Sequence, residues 1–310
     1  MKYLYAGFLV SLLLVTTGQR ISAAVLTERQ FPMYQAATGQ KIDWEALMQQ
    51  VEQSDVIILG ERHNDAWGHR FQREVVREGT RLWPGSAVSL EMLERHHQPL
   101  LNAYLQGRLS YDNFLKAAGV ANWAGEGTWL VWYQPVLNAA RSAFSPVVAA
   151  NAPRSYVRQA RLEGFSSLAS LPVSQKKLFE IPPPVPEEHY LARFAGLMSA
   201  HSPGGSPPDE NLLAFFRSQQ VWDATMASSV VCQARRSPKV FHLVGQFHSD
   251  FDGGLVVRIR NLNPHLRILN ISMQSDHPSP TFREEDRGRA DIVVYTHPSL
   301  LRPGGLPVSP

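Results

Sequence analysis

Two short motifs place a histidine three residues after a glycine, and each motif follows an apolar run. The first is Gly60-Glu-Arg-His63 and the second is Gly245-Gln-Phe-His248. Glu91, near the end of another apolar run, adds a carboxylate. Imidazole and carboxylate groups act as general acids and bases, and they also bind divalent metals. The candidate catalytic residues are therefore Glu61, His63, Glu91 and His248. The candidate metal ligands among them are His63, His248 and Glu61.

The apolar runs before these motifs are typical of strands that are buried on both faces of a sheet. We predict strands at 55–60, 86–93, 146–152, 239–248 and 266–274, and an edge strand at 291–296. Helical periodicity separates them, at 66–79, 94–105, 111–118 and 128–143. This alternation predicts an α/β fold with a mostly parallel sheet flanked by helices. Because the carboxyl ends of parallel strands share one edge, the candidate residues should meet in one crevice, together with Asn151.

The alternation of strands and helices stops between about residues 165 and 235. A stiff connector, Ile181–Pro186, precedes two helical stretches at 187–200 and 210–235, and a Gly/Pro/Ser loop at 202–208 separates those helices. We therefore predict a smaller helical subdomain inserted between the third and fourth strands. Residue types that bind haem iron occur in its first helix and in a tryptophan-rich segment before it. They are His189, Tyr190, Met198 and Tyr133. Such residues also line ordinary hydrophobic cores, so both interpretations stay open.

Charge and cysteine content exclude several classes of function. The 310 residues carry a formal net charge of +3, and removal of the first 24, which contain Lys2 and Arg20 and no acid, leaves +1. This balance argues against nucleic-acid binding. The single cysteine, Cys232, excludes an internal disulfide framework, and we expect a buried free thiol in a helix. Nucleotide-binding glycine loops and the Gly-x-Ser-x-Gly nucleophile motif do not occur in the sequence.

The first 24 residues have the pattern of an export signal. Lys2 precedes an apolar run, 3–17, and Ser22-Ala-Ala24 supplies the small residues that signal peptidase reads. The run is too short to span a bilayer by itself. We expect cleavage near Ala24 and a mature protein in the periplasm or outside the cell. No cysteine lies near this point, so no lipid anchor is expected.

Six stretches of the sequence occur in one order over about residues 50–275. They are Leu59–His63 with His69, Ser89–Arg95 with Gln98, Trp129–Pro135, Asn151–Arg154, Gln220–Ala227 and Leu243–His248. Together, and in this order, they resemble one family, the ChaN-like haem-binding proteins of bacterial iron uptake. That family is related to the Tiki proteases and to erythromycin-esterase-like proteins.

The resemblance implies a parallel sheet between helices, with a smaller helical subdomain. It also implies haem held by a tyrosine at a subunit interface, with two haems face to face in a dimer. Tyr133 and Tyr190 are the candidates for this tyrosine, His189 is a further candidate, and Arg154, Arg158 or Arg193 could pair with the haem propionates. Family members are typically lipoproteins, from which this chain departs. In the related metal-dependent proteases, two Gly-x-x-His motifs and a glutamate carry the activity, and here these match Gly60–His63, Gly245–His248 and Glu91.

Two functional hypotheses follow. The first is an exported, non-catalytic haem-binding protein of iron acquisition, which acts as a haem-linked homodimer or with other haem-uptake components. The second is a periplasmic metal-dependent hydrolase that uses the two Gly-x-x-His motifs and a divalent metal. The expected organisation is a signal peptide at 1–24, a ChaN-like α/β domain at 25–296 with its helical insertion, and a loose tail at 297–310.

Overall fold

A computed structural model describes residues 27–200 and 209–301 of the chain. It contains eight strands in one sheet: β1 (Met33–Gln35), β2 (Lys41–Ile42), β3 (Val56–Glu61), β4 (Ala87–Glu94), β5 (Val147–Asn151), β6 (Val240–Gly245), β7 (Ile268–Gln274) and β8 (Ile292–Tyr295). The spatial order is β2-β1-β8-β7-β3-β6-β4-β5. Neighbours from β8 to β5 are parallel, whereas β1 pairs antiparallel with β8 and with β2. The α/β fold with a mostly parallel sheet is confirmed.

Helices cover both faces of the sheet. They are α1 (Trp44–Gln53), α2 (Ala66–Leu82), α3 (Gln98–Leu105), α4 (Tyr111–Ala118), α5 (Gln134–Ser142), α6 (Arg154–Glu163), α7 (Phe165–Ala169), α8 (Val173–Lys176), α9 (Glu188–Ala200), α10 (Asp209–Ala234) and α11 (Gly254–Leu262). A π-helical turn at Trp129–Tyr133 leads directly into α5. Short 3-10 turns occur at Glu28–Gln30, Arg95–His97, Gln246–His248, Glu284–Asp286 and Pro298–Leu301. None of the helices in the described ranges is long and apolar enough to cross a membrane.

The alternation of side chains along β3 explains the two layers of helices. Ile57 and Leu59 belong to a core cluster that includes residues of α1, α2 and α5. Val56 and Ile58 point to the other face and pack in a cluster with α10 and α11. Because a strand presents successive side chains to opposite faces, a run that is apolar throughout must be covered on both sides. The run Val56–Leu59 therefore specifies a central strand of a three-layer fold.

Two expectations from the sequence are wrong at the far end of the sheet and in α10. We expected an edge strand at 291–296, but β8 lies inside the sheet because β1 and β2 extend it beyond that point. Those two strands are three and two residues long, too short for a periodic pattern. Cys232 was expected to be buried but is an exposed free thiol, since it lies on the outward face of α10. The export signal at 1–24 and the tail beyond residue 301 lie outside the described residues.

Candidate functional site

The four candidate residues lie around one crevice at the carboxyl edge of the parallel strands. The crevice has a volume of about 640 Å³, and its lining includes Glu61, His63, Glu91, Asn151 and His248. Glu61 ends β3, Glu91 lies in the second half of β4, and Asn151 ends β5. His248 lies in the 3-10 turn that follows β6. Parallel pairing of β3 with β6 and of β6 with β4 brings these ends together, although the residues are far apart in sequence.

Glu61 is a buried carboxylate surrounded by donors. Its Oε1 accepts hydrogen bonds from the Tyr133 hydroxyl at 2.7 Å and from Nδ1 of His63 at 3.0 Å. Its Oε2 accepts a hydrogen bond from Nε2 of Gln72 at 2.8 Å, and Nδ1 of His69 lies 3.5 Å away. Burial alone would raise the pKa of Glu61, but the neighbouring His69, His63 and Tyr133 lower it below its ordinary value. Glu61 is therefore held as an anion that orients the His63 ring.

His63 presents its second nitrogen towards the crevice. Its Nδ1 faces Glu61, and its side chain is 44% exposed. Burial lowers the pKa of His63, whereas the hydrogen bond to Glu61 and the charge of Glu91 raise it, with a net increase. A Cβ at position 245 would lie only 2.9 Å from Nε2 of His63. A side chain at 245 would therefore displace the His63 imidazole, which packs directly on the backbone there.

His248 forms a second carboxylate–imidazole pair in the crevice. Its Nδ1 lies 2.7 Å from Oδ1 of Asp223, and its Nε2 lies 3.7 Å from Oε1 of Glu91. Oε2 of Glu91 accepts a hydrogen bond from the backbone N–H of Gly245 at 2.5 Å. Burial alone would lower the pKa of His248, but Asp223 and Glu91 together raise it to about 9. Glu91 therefore lies between two imidazoles, each of which is paired with its own buried carboxylate.

Asp223, Gln72 and His69 are parts of this site that were not among the candidate site residues, although Asp223 and His69 lie in the stretches that carry the family resemblance. Asp223 has no solvent exposure although it belongs to the long helix α10. The position of Asp223 between Trp222 and Ala224 could have indicated a buried carboxylate. An aspartate that is fully buried needs a partner, and here that partner is His248. Gln72 and His69 lie three residues apart on the same face of α2, and Nδ1 of His69 contacts Oε1 of Gln72 at 3.1 Å. Their role depends on the packing of α2 against β3.

The candidate haem ligands lie in different surroundings. Tyr133 is fully buried, and Tyr190 is only 4% exposed, in an aromatic cluster with Phe194 and Phe216. Burial and a nearby carboxylate, Glu61 for Tyr133 and Asp223 for Tyr190, raise the pKa of each phenol well above its ordinary value. Both are therefore neutral phenols in this conformation. His189 is exposed on α9.

Arg154 and two tryptophans lie at the crevice mouth. The side chain of Arg154 is 70% exposed and lies 3.9 Å from Glu94, and both residues line the crevice. Trp123 packs its ring edge-on against His63, with centroids 4.7 Å apart. Trp222, on α10, lines the crevice as well. The mouth therefore combines aromatic walls with a cation, above a floor of carboxylates and imidazoles.

A separate group of three residues lies beside the crevice. Ligand atoms of Glu94, His96 and His97 lie within 4.8 Å of one another, and in the described parts of the chain no other group of three meets this distance. Nδ1 of His97 already accepts a hydrogen bond from the backbone N–H of Glu94 at 3.2 Å. Burial lowers the pKa of His97 to about 4, and the charge of His96 contributes. A metal at this group would have to compete with the turn that holds His97.

Comparisons with known proteins agree with this architecture. A family model described as haem-binding uptake, Tiki superfamily, ChaN matches residues 47–259. The chain is similar to a solved structure described as cofacial haem binding to ChaN of Campylobacter jejuni. The TM-score is 0.63 with 17% sequence identity, covering 86% of this chain and 96% of that one. An erythromycin esterase in its open conformation is more distant, with a TM-score of 0.42, 15% identity, and coverage of 87% and 83%.

No curated protein sequence matches the chain significantly. The family model nevertheless covers more than half of the chain, from within α1 to the last turn of α11. It includes both Gly-x-x-His motifs and every crevice residue described above. By this match the chain belongs to the ChaN family of haem-binding uptake proteins, in the Tiki superfamily.

Proposed function

We propose that this protein is an exported haem-binding protein of bacterial iron acquisition and that it holds haem at the mouth of the crevice without a catalytic step. Membership of a haem-binding uptake family carries this proposal. The crevice mouth fits the ligand in its chemistry. Trp123, Trp222 and Phe247 supply flat apolar walls, while Arg62 and Arg154 supply cations for the propionates. Burial of the apolar ring between such walls would contribute about 25 cal/mol per Å².

We propose His63 as the iron ligand, since it is the more accessible of the two crevice imidazoles. Its side chain is 44% exposed, compared with 9% for His248. Nδ1 of His63 faces Glu61, which leaves Nε2 for the iron and makes the ring a stronger donor. Tyr133 and Tyr190 stay as competing ligands. Either would have to leave its buried position and lose a proton to bind iron as a phenolate.

Titration of haemin into the purified protein tests both parts of this proposal. Wild type is expected to show a saturable change in its visible spectrum, and His63→Ala is expected to weaken binding at least about tenfold. Tyr133→Phe, Tyr190→Phe and His189→Ala serve as matched variants that should keep the wild-type ferric spectrum. If one tyrosine variant removes the ferric haem spectrum and His63→Ala keeps it, that tyrosine is the iron ligand and His63 is not a ligand. If wild type shows no saturable change, haem binding itself is wrong.

A haem held at the crevice mouth would expose one face, so we also propose that a second copy covers it. Closed two-fold symmetry is the commonest way for identical chains to associate. Such a homodimer would form only when haem is present, and other haem-uptake components are alternative partners. Sedimentation velocity with and without haemin tests the homodimer. A haem-loaded protein that stays monomeric would contradict it.

One observation favours a second candidate function, a metal-dependent hydrolase. His63 and His248 each pair with a buried carboxylate, and Glu91 lies beside both. Carboxylate–imidazole pairs of this kind orient nitrogen ligands in zinc sites. A divalent ion would activate water for hydrolysis when it is bound. The three groups do not come within 4.8 Å of one another in the described structure, so binding would have to draw them closer.

Binding of Co²⁺ followed by visible absorption tests this second candidate. We expect one ion per chain in wild type and loss of the ion in Glu91→Gln, because Glu91 is the carboxylate between the two imidazoles. Glu94→Gln is the matched control, since Glu94 belongs to the neighbouring group with His96 and His97. Retention of the ion in Glu91→Gln but not in Glu94→Gln would assign it to that neighbouring group and remove the support for a hydrolase.

A further inference from the structure

The turn between α5 and β5 carries an exposed aromatic side chain in a strained backbone conformation. Phe144 is 94% exposed, and its φ is +52°. It follows the end of α5, where the N–H of Phe144 bonds to the carbonyl of Arg141 at 3.1 Å, and the N–H of Ser145 bonds to that of Ala140 at 2.9 Å. Glycine is the usual residue at such a helix end, because a Cβ is disfavoured in the left-handed region. Phe144 therefore has an unfavourable backbone conformation and an unfavourable exposure to water.

A residue that opposes two folding preferences at once is a candidate for a functional role. Phe144 lies on a ridge between two grooves. Ser142 and Ala143 line the first groove, which has a volume of about 590 Å³, and Pro146 and Val147 line the second, of about 630 Å³. We name the segment 142–147, which separates the two grooves, the Phe144 ridge.

Both grooves are lined with cations. The first contains Arg73, Arg77 and Arg81, and no carboxylate among its lining residues. Arg77 and Arg81 pair with Glu74 and Glu78, but the arginine side chains are 49% and 60% exposed while the carboxylates are 11% and 14% exposed. The guanidinium groups are therefore outermost.

The second groove contains two further exposed cations, Lys177 and Arg236. Arg95 also lines it, but Arg95 follows β4 at the carboxyl edge, is only 16% exposed and lies 3.0 Å from Glu180, so it is not one of the cations of the ridge. Leu82, the last residue of α2, is 42% exposed and follows Arg81 directly. The Phe144 ridge thus presents one large aromatic side chain with cations on both sides.

We propose that the Phe144 ridge docks on an anionic phospholipid bilayer. Phe144 would enter the interfacial region, and the flanking arginines would contact headgroup phosphates. Protein–protein interfaces typically have a core that is depleted of charge, whereas a single aromatic between two cationic grooves fits a charged lipid surface better. The ridge precedes β5, and the crevice lies at the opposite, carboxyl ends of the strands. Docking would therefore direct the crevice mouth away from the bilayer. This inference does not depend on haem binding.

Flotation with lipid vesicles tests the proposal on the full chain. The apolar stretch 3–17 can bind vesicles of either charge, so the measured quantity is the increase in bound protein when phosphatidylglycerol is added to phosphatidylcholine. Phe144→Gly is expected to reduce this increase by about tenfold or more, since it removes the aromatic side chain that would be buried in the interfacial region of the bilayer. The same variant should raise the melting temperature by roughly 2 °C or more, because glycine relieves the strained turn.

Leu130→Ser is the matched control, because Leu130 is 58% exposed but lies in the π-helical turn before α5, at the other end of that helix. It should keep the full phosphatidylglycerol-dependent binding. The double variant Arg77→Gln with Arg81→Gln should also weaken the phosphatidylglycerol-dependent binding, because it removes two cations and leaves Phe144 in place. The proposal is overturned if wild type shows no such increase, or if Phe144→Gly retains it. It is equally overturned if Phe144→Gly abolishes a dimer in sedimentation equilibrium, which would make the ridge a contact between copies of the chain.

Discussion

Arg258→Met is expected to lower the free energy of unfolding by about 3–5 kcal/mol, because it leaves a carboxylate unpaired in the interior. Arg258 lies in α11 and is only 2% exposed. Its guanidinium donates to Oε1 of Glu187 at 2.6 Å and to the carbonyl of Pro183 at 3.0 Å. Burial raises the pKa of Glu187. Its carboxylate is therefore poorly hydrated, and water would replace the Arg258 guanidinium only weakly. The pair also joins the proline-rich connector to α11.

Two further variants separate the buried charge from loss of packing. In the double variant Arg258→Met with Glu187→Leu, most of the lost stability should return, since no unpaired charge remains. Arg267→Met is the matched control because Arg267 also forms two hydrogen bonds to a carboxylate, that of Asp55, but is 65% exposed. It should cost at most about 1 kcal/mol. Urea denaturation measures all three variants, and an equal loss for Arg258→Met and Arg267→Met would contradict the prediction.

The protein is expected to lose about 2–3 kcal/mol of stability between pH 6.5 and pH 4.5 through a single buried histidine. His242 lies in β6 with no solvent exposure, and its Nδ1 is 2.9 Å from Oγ of Ser89. No partner for its Nε2 occurs in the described ranges. Burial, with a smaller contribution from the charge of His248, lowers the pKa of His242 from 6.5 to about 3.

The direction of this effect follows from proton binding. The unfolded chain protonates at position 242 as the pH falls below 6.5, while the folded chain resists protonation until about pH 3. The stabilisation is therefore complete above pH 6.5 and is lost progressively as the pH falls towards 3. His97, with a pKa lowered to about 4, acts in the same direction. Asp250 acts in the opposite direction, because burial raises its pKa.

A comparison with His242→Asn isolates the contribution of one residue. Asparagine keeps a polar atom near Ser89 but does not titrate, so the variant should lose less stability than wild type over the same interval. Any constant cost of the substitution cancels in this comparison, because only the change with pH is compared. Chemical denaturation at pH 6.5, 5.5 and 4.5 measures it. Parallel curves for the two proteins would contradict the proposed role of His242.

Local patterns in the sequence were enough to predict the central elements. The run Val56–Leu59 specifies a strand buried on both faces whatever surrounds it, because each of its side chains is apolar. The strands β3 to β7 agree with the predicted ranges to within a few residues, and so do the helices α2, α3, α4, α5, α9 and α10. For α6, α7, α8 and α11 no range was predicted. The strand-end positions of Glu61, His63, Glu91 and His248 followed from the same patterns, since parallel strands carry their carboxyl ends to one edge.

Other features depend on contacts between distant parts of the chain. Tyr133 and Glu61 are 72 residues apart, and Asp223 and His248 are 25 residues apart on different elements. No local pattern distinguishes a tyrosine that donates to a buried carboxylate from one that only fills a core. The interior position of β8 likewise depends on β1, whose residues lie near the other end of the described chain. The sequence by itself therefore determined the central strands, the longer helices beside them and the polar residues at the strand ends, because these follow from local periodicity. Only the tertiary structure decided which carboxylate pairs with which imidazole, because burial and charge at each atom arise from elements packed together from far apart in the chain.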